Sequence, residues 1–237
     1  EGFWEEGSNL VLNHDYEELG SELVTNGDFA TDSNWTLSSG ITRNSSGYLD
    51  FDGTQGSGSA KNTPNITFVQ GKVYKVIYEI LNYSSGTIKF RFQNGNNTIG
   101  TQQSGNGVKT EYIVCQDSSN NNFQFFGASS FIGSIDNVSV KQVDPNDRWS
   151  LGNTTISDGV LNFPDNSSAA KFAIHSTANM MDIGGTYEIT LTVNKTAGGI
   201  LKILSGTGGS DLTPTASVNS SGTHTFIVTN NTNGGKL

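Results

Sequence analysis

Six side chains in the first half of the chain could together hold a polyhydroxylated ligand. Lys75 and Glu79 lie in the run Val73–Leu81, Lys89, Arg91 and Gln93 lie in Thr87–Gln93, and Tyr83 stands between the two runs. An aromatic ring can stack on the apolar face of a sugar while charged and amide groups bond its hydroxyls. The plainer account of the same residues is an ordinary wetted sheet face. Covalent chemistry has much less to work with. The histidines are His14, His175 and His224. None stands in a His-Glu-x-x-His spacing, and no Gly-x-Ser-x-Gly elbow or glycine-rich phosphate pattern occurs. Glu79, Glu111 and Glu188 fall on strand faces expected to be exposed, whereas glycoside hydrolysis needs two carboxylates facing each other across a cleft. No catalytic residue is expected. The single cysteine, Cys115, can form neither an internal disulfide nor a cysteine zinc site, and reads as a small apolar strand residue.

The elements that carry these residues read as strands. In Val73–Leu81, Tyr74, Val76, Tyr78 and Ile80 share one face, opposite Lys75, Ile77, Glu79 and Leu81. In Thr87–Gln93, Ile88, Phe90 and Phe92 oppose Lys89, Arg91 and Gln93. In the second half, Tyr187, Ile189, Leu191 and Val193 oppose Glu188, Thr190 and Thr192. Gly and Asn clusters punctuate these runs, and no segment sustains a helical period. Of the 237 residues 33% are hydrophobic and 10% aromatic, enough for a packed interior, while only 15% are charged. The net charge of −9 repels phosphate backbones, so nucleic acid is not an expected partner. It disfavours anionic membrane surfaces too, and no apolar run approaches the ~20 residues that cross a bilayer. Glu1 opens in ordinary sequence, so the chain is expected to be a segment of a longer one.

A repeat organises the sequence. Asn34-Trp35-Thr36-Leu37 and Gly47-Tyr48-Leu49-Asp50-Phe51 return as Arg148-Trp149-Ser150-Leu151 and Gly159-Val160-Leu161-Asn162-Phe163. Tyr74 returns as Tyr187, the turn Ser84-Ser85-Gly86 as Ala197-Gly198-Gly199, and Tyr112 is matched with Phe226, all at a spacing of about 114 residues. Trp35 and Trp149 are therefore expected in equivalent interiors. Trp4, outside the repeat, is the freer aromatic. The expected division is residues 1–20 as an arm or the end of a preceding domain, 21–143 as module one, and 144–237 as module two. The stretch from Phe123 to Val140 has no counterpart in module two, which is expected to be incomplete and to continue in the natural protein.

Leu23-Val24-Thr25-Asn26-Gly27-Asp28-Phe29 followed by Asn34-Trp35 resembles the opening of carbohydrate-binding jelly-roll modules of the family 4/9/22 type, and Ile135-Asp136-Asn137-Val138-Ser139-Val140 resembles their closing strand. The Asp-Pro-Asn-Asp-Arg-Trp junction resembles modules recurring in virion appendage proteins of marine bacteriophages. The resemblance implies an all-β fold of two tandem antiparallel β-sandwich (jelly-roll) modules, the second incomplete, whose first and last strands pair. It also implies a structural calcium near that pairing, with Asp28 and Asp136 as the matching carboxylates. The function it implies is a non-catalytic structural and adhesion protein, extracellular or on a virion surface. Its expected partners are a cell-surface polysaccharide and other virion proteins or copies of itself, with trimers included. The alternatives are the accessory binding region of a secreted polysaccharide-degrading enzyme and a purely architectural spacer.

Overall fold

The computed structural model describes residues 7–127, 130–164, 170–177, 180–205 and 210–231, and Trp4 lies outside them. Described residues form strands, turns and bends, with no helix. The chain divides into two units: 17–145, and a second that joins the N-terminal stretch ending at Tyr16 to the stretch from Asn146 onward.

The first unit contains β1 (Trp35–Leu37), β2 (Ile41–Arg43), β3 (Leu49–Asp52), β4 (Ser59–Asn62), β5 (Val73–Ser85), β6 (Ile88–Gln93), β7 (Thr98–Ile99), β8 (Gly107–Val114), β9 (Asn122–Gly127) and β10 (Ile132–Gln142). They form two five-stranded sheets in the orders β1-β4-β9-β6-β7 and β2-β3-β10-β5-β8, and every pair is antiparallel. Period-two alternation of aromatic and β-branched residues is what makes these runs strands. Consecutive strands β5 and β6 lie in different sheets. The chain turns between them at Gly86, whose φ of 77° is open to glycine at little cost.

The inner faces fill one core. Tyr74, Val76, Tyr78 and Ile80 of β5 and Ile88, Phe90 and Phe92 of β6 are fully buried, as expected from their alternation. Phe68 stacks on Phe92 at 3.8 Å, and Tyr78 meets Phe125 edge-on at 4.9 Å. The closing strand β10 runs through the centre of its sheet, and Ile135, Val138 and Val140 are buried from it. The opening segment lies along β10: Gly20 N donates to Gln142 O, Leu23 N to Val140 O, and Val138 N to Gly27 O. A Cβ on Gly27 would sit 2.0 Å from Val138 O, so this approach needs glycine.

The second unit contains β11 (Trp149–Gly152), β12 (Thr155–Ser157), β13 (Val160–Asn162), β14 (Phe172–His175), β15 (Thr186–Val193), β16 (Leu201–Ser205), β17 (Ser210–Val218) and β18 (Gly222–Thr229). β11 pairs with β14, β12 with β13, and the remaining four form a sheet in the order β15-β18-β17-β16. Its eight described strands follow the order of β1 to β8. No described residue takes the places of β9 and β10.

The opening of this unit is not where the repeat places it. Residues 144–148 do not supply it; residues 7–16 do. Ser8-Asn9-Leu10-Val11-Leu12-Asn13-His14-Asp15-Tyr16 repeats Ser21-Glu22-Leu23-Val24-Thr25-Asn26-Gly27-Asp28-Phe29 at Ser, Leu, Val, Asn and Asp, and ends on an aromatic ring in both. The local bonds repeat with it. Val11 N donates to Asn9 Oδ1 at 3.0 Å where Val24 N donates to Glu22 Oε1 at 3.1 Å. Tyr16 N reaches Asn13 O, and Phe29 N reaches Asn26 O, both at 3.2 Å. Asn13 and Tyr16 have φ of 51° and 56°, beside 54° and 48° at Asn26 and Phe29. The expected division at residue 20 is corrected accordingly: 7–16 open module two, and Leu19 and Gly20 bond to Val143 and Gln142 of module one.

The repeat landmarks hold elsewhere. The Tyr74 hydroxyl accepts from Val69 N at 2.8 Å and the Tyr187 hydroxyl from Asp182 N at 2.6 Å. Asn62, opposite Trp35, donates to Thr25 O at 2.9 Å. His175, opposite Trp149, approaches Leu12 O through Nε2 at 2.9 Å. One match slips by a residue. Tyr74 pairs with Ile113 and Tyr187 with Val228, so Glu111, rather than Tyr112, is the counterpart of Phe226.

Candidate functional site

The alternation that buries Phe123 and Phe125 turns Asn122, Gln124 and Phe126 of β9 to the outer face of their sheet. The register then sets Lys89 beside Phe126, Arg91 beside Gln124 and Gln93 beside Asn122. On the other side, Ser59 and Lys61 of β4 flank Phe126 and Gln124. Thr36 of β1 and Ile99 of β7 complete the outward positions. No Asp or Glu is among them. Lys61, Lys89 and Arg91 therefore form a cationic patch on a chain of net charge −9, and among the described residues none of the three is paired with a carboxylate.

Two contacts order this face. Lys89 Nζ lies 4.9 Å and the Arg91 guanidinium carbon 4.6 Å from the centre of the Phe126 ring. Gln124, with its amide oriented as its neighbours require, accepts from Arg91 Nη2 at 2.6 Å and from Nε, and donates to Ser59 Oγ at 3.0 Å. Burial pulls the Arg91 pKa below the usual guanidinium value. At the end of the row, Asn122 Oδ1 is buried without a hydrogen-bond partner. The face thus offers fixed donors and one partly exposed ring, set over the buried amides of Gln124 and Asn122.

The structure divides the six expected sugar-binding residues. Lys89, Arg91 and Gln93 share the face just described. Lys75 and Glu79 lie on the outer side of β5, in the other sheet of the sandwich. Lys75 Nζ there lies 5.4 Å from the Tyr112 ring centre. Tyr83 turns its ring to the core edge, 6.2 Å from Phe131, and its hydroxyl donates to Gly86 O. Phe126, Gln124 and Asn122 were not among the expected residues. The signal for them was the strict alternation set by Phe123 and Phe125, which leaves Phe126 pointing outward.

The carboxylates near the closing strand do converge. Asp136 faces Glu79 across the β10–β5 pair, and Asn137 Nδ2 donates to Glu79 Oε2 at 3.1 Å. Burial raises the Asp136 pKa, and the charges of Glu79 and Asp28 raise it further. Among the described residues, however, no three His, Cys, Asp or Glu side chains gather to hold a metal ion. A calcium ion at Asp28 and Asp136 would need backbone carbonyls for most of its six to eight oxygens. Glu111 departs from the exposed position expected for it. Its Oε2 accepts from Thr101 N at 2.8 Å, while its Oε1 is buried without a partner, as is the Tyr78 hydroxyl.

A separate cleft of about 270 Å³ opens between β1 and β2, lined by Phe29, Trp35, Leu37, Ile41 and Leu49 with Arg43 and Asp32. The guanidinium of Arg43 is spent within the protein, on Asp32 at 3.0 Å, Ala30 O at 2.8 Å and Phe29 O.

Several solved structures are similar to the chain, two carbohydrate-binding modules among them. One is described as a family 16 carbohydrate-binding module; it is 12% identical and covers 50% of this chain and 98% of its own, with a TM-score of 0.29. The other is the N-terminal tandem of two family 22 modules from Paenibacillus barcinonensis Xyn10C, 11% identical over 89% of this chain and 86% of its own, with a TM-score of 0.30. No protein-family model and no curated protein matches the chain. The functional reading therefore rests on the site itself.

Proposed function

We propose that the chain is a non-catalytic polysaccharide-binding region of an adhesion protein, displayed extracellularly or on a virion surface, and that module one binds through the outer face of β4, β9 and β6. The observation that supports this reading is the set Lys61, Lys89 and Arg91 around Phe126 and Gln124, with no carboxylate paired to it among the described residues of a strongly acidic chain. Guanidinium and ammonium groups bond carboxylate or sulfate and hydroxyl oxygens, and charge-assisted bonds of this kind are the strong ones. The ligand class that fits is an anionic polysaccharide carrying uronate or sulfate groups. The rest of the acidic surface disfavours nonspecific capture of the same polymer.

The test is affinity electrophoresis of the whole chain through gels holding uronate-rich, sulfated or neutral polysaccharides. Retardation by an acidic polymer, weakened by salt, is the expected result. Equal mobility in all gels would remove the proposal.

We also propose Asp28 and Asp136 as ligands of a structural calcium, as the family resemblance implies. The mutual repulsion of Asp28, Glu79 and Asp136 supports it, since a cation would relieve it.

A further inference from the structure

The outer face of the β1-β4-β9-β6-β7 sheet carries a charge pattern that runs across its strands. Thr36 pairs with Lys61, Lys61 with Gln124, Gln124 with Arg91, and Arg91 with Ile99. Cross-strand partners share a face of a sheet, so these five residues, one from each strand, stand in a single outward row. From edge to edge the row is neutral, cationic, neutral, cationic, neutral.

The neutral centre of the row fixes one of its cations. Gln124 is buried, and its amide is engaged on both sides, by Arg91 Nη2 at 2.6 Å and Nε, and by Ser59 Oγ at 3.0 Å. Those bonds set the plane of the guanidinium and leave Nη1 for a ligand. Neighbouring strands lie about 4.8 Å apart, so Lys61 and Arg91 stand about 9.6 Å apart across Gln124. A pyranose linked through opposite ring positions advances a chain by close to one strand spacing. Two such sugars therefore carry a chain from Lys61 to Arg91. In an extended ribbon each ring is turned over relative to the last, so the substituents of alternate rings face the same way. Along β6 this match fails, because Lys89 and Arg91 are two residues apart on one strand, about 6.7 Å.

We propose that this face reads the spacing of charge along a polysaccharide: it takes a linear acidic chain, laid across the strands, that turns an anionic group to the sheet on every second sugar. The inference rests on the reading of module one as a polysaccharide-binding face, and adds to it a direction and a period. Lys61 and Arg91 take successive anionic groups by charge-assisted bonds, and the sugar between them lies over Gln124.

The experiment titrates the whole chain, by calorimetry, with two synthetic β-1,4-linked glucose trisaccharides of equal charge. One carries C6 carboxylates on both outer rings, the other on two adjacent rings. The outer-ring isomer is expected to bind about tenfold or more tightly than the adjacent-ring one, the worth of one charge-assisted bond. Lys61→Ala and Arg91→Ala should each abolish that preference. Lys89→Ala, outside the row, should lower both affinities alike and keep it. Equal affinities for the two isomers would overturn the proposal while leaving the polysaccharide-binding reading in place. So would a preference that survives Lys61→Ala and is lost with Lys89→Ala, which would lay the ligand along β6. Neither trisaccharide binding, with acidic polymers still retarding the chain in gels, would overturn it as well. No retardation by any acidic polymer would remove the underlying reading itself.

Discussion

The indole N–H of Trp149 donates to the carbonyl of Asn13, 136 residues earlier in the chain, at 3.1 Å. The indole of Trp35 makes the same bond to Asn26, only nine residues earlier, at 2.9 Å. The rings that cap them match: Tyr16 lies 5.2 Å from Trp149 at 47°, and Phe29 lies 5.0 Å from Trp35 at 53°. One local motif is used twice, once in sequence and once across the whole of module one.

Removing residues 1–16 is expected to destabilise module two alone. It takes away Asn13 and Leu12, the partners of Trp149 and His175, and exposes the Trp149 ring. His175→Ala is the milder version. It leaves Leu12 O unpaired beside a buried site, at a cost of about 1–3 kcal/mol. Calorimetry should show one of two transitions falling and the other unmoved. A fall in both, or in neither, contradicts the assignment of 7–16 to module two.

Arg91→Ala and Gln124→Ala should each weaken binding to an acidic polysaccharide. A charge-assisted bond contributes about 1.5–3 kcal/mol, so a loss of roughly tenfold to a hundredfold is expected for Arg91. Lys75→Ala, on the other sheet, should leave binding unchanged. Titration calorimetry with an acidic oligosaccharide checks this. If Lys75 matters as much as Arg91, the binding face has been misassigned.

Asp136 gives module one a defined pH dependence. Its pKa is raised in the folded protein, by burial first and then by Glu79 and Asp28, from an ordinary value of 3.8. The unfolded chain therefore ionises first as pH rises. Stability falls from 3.8 up to the raised folded value and stays lower above it. Asp136→Asn should stabilise at neutral pH and give no benefit below 3.8. If calcium binds here, adding it should raise the melting temperature at neutral pH, and chelator should reverse the effect. Melting that is indifferent to both would remove the calcium.

Tyr78→Phe should be neutral or stabilising. The hydroxyl is buried with no partner, and burial together with the Glu111 charge raises its pKa. Deleting an unpaired buried hydroxyl removes a desolvation cost of about 1–3 kcal/mol, while the ring keeps its packing on Phe125. Chemical denaturation measures it. A loss of stability greater than 1 kcal/mol would mean that the hydroxyl has a partner, such as water.

Much of the fold was legible because alternation is local. The inward faces of β5, β6 and β15, and the matching of Tyr74 with Tyr187, all follow from residue type and spacing. Alternation separates inside from outside but does not say which sheet a strand joins. For that reason Lys75 and Lys89 read as one face and prove to lie on two. The opening motif of module two was hidden by position. It lies 13 residues from its twin rather than the spacing of about 114 that governs the other landmarks, so a search for one period passes over it. Tyr112 was matched with Phe226 because both are aromatic. The ladder instead puts Glu111 at the inward position, a polar residue where the pattern calls for an apolar one.

Module two is written in two stretches with a complete domain between them, and this orders its birth on the ribosome. Residues 8–16 are synthesised early, but Trp149 and His175 arrive only after module one has been made. At 5–20 residues per second that is a delay of roughly seven to thirty seconds. Module one can close meanwhile, whereas Val11 and Tyr16, which pack on the core of module two and on Trp149, must wait uncovered, open to whatever else in the cell binds an idle apolar segment.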